Sequence, residues 1–434
     1  MPVAIGQNVK AYIESHGCTM NYGEGRIASA LIAAGGYQIA ERAEDSDIVV
    51  LNTCAVIDFT ERKMISRLRE IDSMGKRMVV TGCMAPTKRE AILQAAPGAM
   101  ICSPGNYEML GALLGLNFSR DQDCWNSFDR NDIIIPVAQG CLSRCTYCFS
   151  RLARPKLRSL NPAEILNAIR KNLKPGRIRE FLLSGMDAIT YGRDLKTTLP
   201  DLIARILSIE GDFRLRVGMM NPSLLSPLLE ELLDVYEDRR IYKFFHIPFQ
   251  SGSDRILKLM KRGNTAREFI EITENIRKRY PEATISTDII VGFPTETEED
   301  FEQSLQLMET VAPDIVNVTR FSAREGTPAA SMQGQIPGWI AKERSRRATD
   351  LRFAISGRRN SEYEGRNAEA LITEEGKNGY SIGRLENYKQ IIVSGTHSPG
   401  KTVNCLITGS TPIHLVGSAD SKPATIPEEA GTAG

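Results

Sequence analysis

No apolar run in this 434-residue chain approaches the length of a bilayer span; the longest are the size of a strand. A helical membrane protein is therefore not expected. The opening, MPVAIGQNVKAYIESHG, has no basic stretch followed by an apolar one, so no secretory signal is expected either. Charge of one sign is also missing: 54 Lys and Arg face 53 Asp and Glu, a net of +1. Whole-molecule charge does not advertise a nucleic-acid partner, and any basic surface must be local. The nine cysteines are odd in number and widely spread. That argues against a disulfide scaffold and for a reducing cytoplasm with metal ligation. Apolar and charged fractions are those of a globular protein, and the length implies two to four domains.

Three of the cysteines stand in Gly140-Cys141-Leu142-Ser143-Arg144-Cys145-Thr146-Tyr147-Cys148, the spacing C-x3-C-x2-C. A tight loop of this kind brings three thiolates to three corners of an iron–sulfur cube and leaves the fourth iron open for a substrate or cofactor. Two other readings use the same residues. A zinc half-site needs a second Cys or His pair nearby, and none follows closely. Cys145 and Cys148 alone have the C-x-x-C spacing of a redox pair.

The fold class read from the pattern is α/β with an all-β end. Strand signals at Val9–His16, Asp47–Asn52 and Arg77–Thr81 alternate with helical periodicity at Glu24–Ala34 and Thr60–Met74, which implies a doubly wound parallel sheet over 1–117. Residues 118–131 lack periodicity and read as a linker. From 132 to 364, strands at Ile133–Ala138, Phe181–Ser184, Arg214–Gly218, Tyr242–Ile247, Ile285–Val291 and Ile315–Arg320 alternate with helices, which suggests an open, partial (β/α)6 barrel. Asn161-Pro162 reads as an N-cap and N1 pair. Short β-like runs at Ala368–Thr373, Gln390–Val393 and Thr402–Ile407 make 365–418 a small all-β module. Residues 419–434 have few large apolar residues and read as a disordered tail.

Cys18, Cys54 and Cys83 each fall just past the carboxyl end of an expected strand, the edge where open parallel sheets bind ligands. Three cysteines far apart in sequence would then meet. The alternative is three buried structural thiols, since free Cys is among the most buried residues. Cys102, after a further short strand at Ala99–Ile101, reads as a core thiol with a fourth ligand as the alternative; Cys405 reads as core, and Cys124, beside Trp125, as structural.

The cluster loop resembles the signature of the radical S-adenosylmethionine (SAM) enzymes, and the chain as a whole resembles their methylthiotransferase subfamily. The resemblance rests on Gly17-Cys18-Thr19-Met20-Asn21, Asn52-Thr53-Cys54-Ala55-Val56, the run His246 to Asp254, the run Thr287 to Thr297, and Phe321 to Pro328. Glu374-Glu375-Gly376, Gly383-Arg384, Tyr388, Val393-Ser394-Gly395 and His414 to Gly417 are similar to a TRAM domain, an RNA-binding β-barrel. The resemblance implies two 4Fe–4S clusters, one on Cys141, Cys145 and Cys148 that cleaves SAM, and an auxiliary one on Cys18, Cys54 and Cys83. It implies one SAM as methyl donor, a second as source of a 5'-deoxyadenosyl radical, and transfer of a methylthio group to an unreactive C–H carbon. Arg216 to Pro222, with Asn221, resembles the branch that modifies N6-threonylcarbamoyladenosine at tRNA position 37. The N6-isopentenyladenosine branch is the alternative, and a non-catalytic iron–sulfur RNA-binding protein is the reading from another class. A flavodoxin or ferredoxin would donate electrons, the sulfur source is unknown, and a monomer is expected.

Ser184, Asp187, Gln250 and Ser251 sit at or near expected barrel strand ends, Asp288 lies within an apolar strand where a charge needs a partner, and all five are candidate SAM contacts. Arg154 suits a SAM carboxylate or a phosphate. His16 is a candidate hydrogen-bonding neighbour of the auxiliary cluster, and His246 reads as a core histidine. Arg344, Arg346, Arg347, Arg366, Arg384 and Lys389 lie in or before the TRAM-like module and are candidate contacts to the tRNA anticodon stem-loop.

Overall fold

The computed structural model describes residues 9–118 and 131–419. Cys124 and most of the expected linker and tail lie outside them. The described residues fall into two compact units, one of those up to 172 with 183–198 and 322–332, the other of the remaining described residues.

In the first unit, β1 (Lys10–Ser15), β2 (Gln38–Ile39), β3 (Ile48–Thr53), β4 (Arg77–Gly82) and β5 (Met100–Ile101) form a parallel sheet in the order β2-β1-β3-β4-β5. All of β3 is buried, as a strand covered on both faces must be. Alternate residues serve different cores. Val49 and Leu51 pack with Met64, Leu68 and Ile71 of the helix Asp58–Ser73. Ile48 and Val50 pack with Ala28 and Ile32 of the helix Thr19–Ala34 and with Leu110 and Leu114. That helix begins five residues before the expected Glu24. Two glycines weaken its first turns, but Cys18 takes the extended N-cap conformation and burial of Met20 and Asn21 extends the helix through them.

The helix Thr19–Ala34 also packs against β6 (Asp132–Gln139), where Arg26 Nη1 donates to the Asp132 carbonyl at 3.0 Å. β7 (Arg158–Ser159) runs antiparallel to β6, and β8 (Arg179–Gly185) and β9 (Phe213–Val217) complete a sheet of order β7-β6-β8-β9. β10 (Phe244–His246), β11 (Thr284–Val291) and β12 (Ile315–Arg320) form a second, parallel sheet. All six expected strands are present. Between β9 and β10 the ladder thins to a single bridge, Leu215 to Ile241. Helices Ala266–Arg279 and Glu298–Val311 follow β10 and β11, each opened by a capping box at Thr265 and Thr297. At Asn161, the side-chain oxygen accepts from Ala163 N at 2.9 Å before the helix Pro162–Asn172.

After the long helix Gly338–Ser361, β13 (Asn367–Glu375), β14 (Tyr380–Arg384), β15 (Gln390–Ser394), β16 (Thr402–Ser410) and β17 (Leu415–Ser418) close a barrel in the order β13-β14-β15-β17-β16. Ile372, Leu385, Ile391, Val393, Ile407 and Leu415 fill it. Closure leaves no exposed sheet edge. Among the described residues no helix is long and apolar enough to cross a membrane.

Candidate functional site

Cys18 follows β1, Cys54 follows β3 and Cys83 follows β4, three neighbouring strands of one parallel sheet. Gly82 turns β4 into Cys83 at φ +84°, and a Cβ there would stand 2.3 Å from the Thr53 carbonyl oxygen, so only glycine permits the close approach. Cys18 is the N-cap residue of the helix Thr19–Ala34. Burial pushes the Cys54 thiol up and takes Cys83 to about 11, and each also feels the Cys18 charge. The three thiols are free and electrostatically in touch.

In the second cysteine group, Gly140 at φ +78° turns β6 into Cys141, where a Cβ would collide with the Lys156 carbonyl oxygen at 2.1 Å. Ser143 N donates to Cys141 Sγ at 3.3 Å and Cys148 N to the Cys145 carbonyl at 3.3 Å, which folds the loop into a tight turn. Burial raises the Cys141 thiol to about 11, with the Asp187 carboxylate, 3.7 Å away, adding to the rise. Among the described residues no three His, Cys, Asp or Glu side chains converge tightly enough for a single metal ion. A cubane takes its thiolates at separate corners, and each set offers three thiol sulfurs, the donor type that iron–sulfur clusters take.

Arg154 is not where a cofactor carboxylate or a phosphate would meet it. Its guanidinium grips both oxygens of Glu24 at 2.6 Å and donates to Asn21 Oδ1 at 3.2 Å, and its charge offsets part of the rise that burial imposes on the Cys83 thiol. Arg154, Glu24 and Asn21 are all buried. Glu24 and Asn21 were not candidates, although a carboxylate in the apolar stripe Met20, Glu24, Ile27, Leu31 is a readable signal. Arg324 was missed as well. It pairs with Glu61 and lies 4.8 Å from the Phe149 ring centroid, directly after Cys148. His16 spends its Nε2 on Glu14 at 2.6 Å. Cys102 and Cys405 are buried core thiols.

The candidate SAM contacts divide. Ser184 and Asp187 are buried around the carboxyl end of β8. Gln250 adopts a left-handed backbone at φ +71°, and its side-chain oxygen is buried with no hydrogen-bond partner among the described residues. Such an acceptor fits a ligand N–H or O–H. Ser251 is instead fully buried, its hydroxyl 3.4 Å from Ser304 Oγ and accepting from Ser253 N at 3.2 Å, so it is a packing residue. Asp288 accepts from Asn317 at 2.7 Å and faces His246 Nε2 at 3.1 Å. Burial raises its pKa, but His246 and Asn317 more than reverse that and hold it low. The His246 ring is thus satisfied by Asp288, at a part-buried rather than fully buried position. Asn221 caps the short helix Pro222–Leu225, its Oδ1 accepting from Ser223 N at 3.1 Å.

The candidate RNA cations divide in the same way. Arg344 is buried and paired with Glu296 at 2.8 Å, and Lys389 is buried on Asp314 at 2.7 Å; neither is open to a phosphate. Arg347 is partly buried between Glu298 and Glu302. Arg346 and Arg366 are exposed, and Arg384 lies 4.6 Å from the Tyr388 ring centroid. Arg366 and Arg384 line a cleft of about 510 Å³ with Arg214, Arg239, Lys243 and Arg279, six cations against Glu282, Glu369 and Glu386.

Family comparisons place these features in order along the chain. Residues 10–103 match the Uncharacterized protein family UPF0004, 135–308 the Radical SAM superfamily and 361–419 the TRAM domain. A probable threonylcarbamoyladenosine tRNA methylthiotransferase of Pyrococcus horikoshii is 42% identical over 402 residues, covering 89% of this chain and 93% of its own. The protein of the same description from Archaeoglobus fulgidus is 40% identical over 403 residues, with the same coverage. The chain belongs to the radical SAM methylthiotransferase family. Another relative, the tRNA-2-methylthio-N(6)-dimethylallyladenosine synthase of Aquifex aeolicus, is 32% identical over 94% of this chain and 98% of its own. In fold, this methylthiotransferase resembles a radical SAM methyltransferase from Kitasatospora setae, with a TM-score of 0.55 at 14% identity over 75% of this chain and 74% of that one. Membership of the radical SAM superfamily carries with it one 4Fe–4S cluster and SAM.

Proposed function

We propose that this protein methylthiolates tRNA, converting N6-threonylcarbamoyladenosine at position 37 to its 2-methylthio derivative with two molecules of SAM, one as methyl donor and one as radical source. The observation that carries the reading is the doubled cysteine set. Cys141, Cys145 and Cys148 suffice for a radical SAM enzyme, and Cys18, Cys54 and Cys83 would hold a second cluster, for which a simple binding protein has no use. When bound, the clusters and SAM supply the methyl group and the one-electron chemistry that an aromatic C–H carbon demands and that acid–base side chains lack.

The chain's own residues bind and position. Ser143 N, donating to Cys141 Sγ, shapes the SAM-cleaving loop. Asp187, beside that thiol, offers an acceptor to the amino group of SAM. In the other unit, the Gln250 side-chain oxygen, with no partner among the described residues, suits a ligand N–H or O–H. The basic cleft offers phosphate contacts that position an RNA without reading its sequence. Extrusion of a loop adenosine costs at most a few kcal/mol. We place the protein in the cytoplasm as a monomer, reduced by a flavodoxin or ferredoxin.

The threonylcarbamoyl branch is favoured because relatives of that description reach 42% identity against 32% for the dimethylallyl relative. Two measurements test the reading. Anaerobic iron and sulfide content with EPR should give two 4Fe–4S clusters in the wild type and one in the Cys18→Ala, Cys54→Ala, Cys83→Ala variant. Incubation with hypomodified tRNAs should then convert threonylcarbamoyladenosine and leave isopentenyladenosine unchanged. Conversion of the isopentenyl nucleoside instead would move the protein to the other branch.

A further inference from the structure

We infer that Arg154 is a positioning residue of the auxiliary cluster site, which ties the SAM-cleaving loop to all three strand tips bearing Cys18, Cys54 and Cys83 and raises the reduction potential of a cluster held there. Arg154 follows the short helix Ser150–Ala153, which itself follows Cys148 within two residues. From that element the guanidinium enters the N-terminal sheet. One link is electrostatic, the guanidinium charge favouring the Cys83 thiolate. A second runs through Asn21, whose Oδ1 accepts from Arg154 and whose Nδ2 donates to the carbonyls of His16 at 2.8 Å and Thr53 at 3.0 Å. His16 stands two residues before Cys18, and Thr53 one before Cys54. Asn52 Nδ2 closes the network on the Asn21 carbonyl at 2.6 Å.

Glu24 holds the guanidinium in this pose through two bonds of 2.6 Å, and Gln139 of β6 steadies Glu24 at 3.1 Å. A bidentate fork fixes orientation as well as distance. Arg154 and Glu24 each keep about 5% or less of their side chains exposed, so water does not screen the pair. A buried cation beside a ligand thiolate favours the extra electron of the reduced cluster, since net charge around the sulfurs helps set the potential. The same residue would thus set where the two cysteine groups stand and how readily the second accepts an electron.

This inference rests on the reading that Cys18, Cys54 and Cys83 hold a cluster, and the test separates the two. A Cys141→Ala, Cys145→Ala, Cys148→Ala background leaves one cluster, whose midpoint potential is titrated by EPR. Arg154→Gln removes the cation and should lower the potential, with a tenfold shift in the reduction equilibrium reading as about 59 mV. Glu24→Gln keeps the shape, removes the opposing charge and should raise it. General loosening of the site would move both variants the same way, so opposite signs support the role. If Arg154→Gln does not fold, the double variant Arg154→Gln with Glu24→Gln keeps the buried pair neutral, and its potential should still fall below that of the background. Shifts of the same sign, or none, in protein that retains the cluster overturn the inference while the cluster reading stands. A background protein without iron overturns both.

Discussion

Lys389 of the C-terminal barrel places its Nζ 2.7 Å from Oδ1 of Asp314, the residue that leads into β12. The ammonium also donates to Asn360 Oδ1 at 2.8 Å, and Arg359 reaches Asp314 at 2.9 Å from the long helix. Ile285 N completes the set at 3.0 Å. One buried carboxylate therefore joins the barrel, the helix and the parallel sheet. Lys389→Met removes one partner and leaves a buried charge undercompensated, which costs about 3 kcal/mol. Chemical unfolding should show that loss, with the barrel separating earlier than in the wild type. An unchanged midpoint would mean that the apolar contacts of the barrel alone hold it in place.

Acid should act on the same group. Burial works to raise the Asp314 pKa, but Lys389 and Arg359 overcome it, and the folded value lies below the ordinary carboxylate range. A group depressed on folding contributes stability that is complete above its unfolded value, near 3.9, and is lost as pH falls through the folded one. Thermal unfolding of the wild type should hence steepen in its pH dependence below about pH 4. In Asp314→Asn the protein should be weaker at neutral pH and this part of the acid slope should vanish. The comparison of the two slopes checks the assignment, because other carboxylates contribute equally to both proteins.

How much of this was legible in the sequence differs by feature. The six barrel strands were, because each is an apolar run between helical segments, and so were the strand-tip positions of Cys18, Cys54 and Cys83. β14 and β17 were not; Tyr380–Arg384 and Leu415–Ser418 are too short, and too rich in Gly and Ser, to stand out until the barrel closes around them. Arg344 and Lys389 looked like RNA contacts because a charge in sequence carries no record of its partner. Glu296 lies 48 residues from Arg344, and Asp314 lies 75 from Lys389. Arg154 looked like a contact to SAM or phosphate for the same reason, and its partners are Glu24, 130 residues away, and Asn21.

Gln250 offers a test of the cofactor reading in which stability and binding move apart. Its side-chain oxygen is buried with no partner among the described residues, which costs stability in the free protein. Gln250→Leu keeps the size and removes that oxygen, so the free protein should melt at the same temperature or higher. If the oxygen accepts a hydrogen bond from SAM, affinity should fall about tenfold, the worth of roughly 1.4 kcal/mol. Equilibrium dialysis on the reconstituted protein reads the second effect. A lower melting temperature with unchanged affinity would make Gln250 a structural residue.

The basic cleft predicts how RNA length enters recognition. Its lining includes Tyr280 to Ala283, just before the amino end of β11, whereas Gln250 bridges to Ile289, near the other end. The eight residues of β11 span roughly 26 Å. An RNA touching both ends must extend at least that far, which a whole tRNA does and a minimal loop does not. Arg239 and Arg366 are exposed on the cleft, so Arg239→Gln with Arg366→Gln should weaken whole-tRNA binding and flatten its salt dependence by about 0.7 to 0.9 in log–log slope per lost contact. A stem-loop of only a few base pairs should bind wild type and variant alike. Equal losses for both RNAs would place the phosphate contacts near the loop, and no loss for either would remove the cleft from RNA binding altogether.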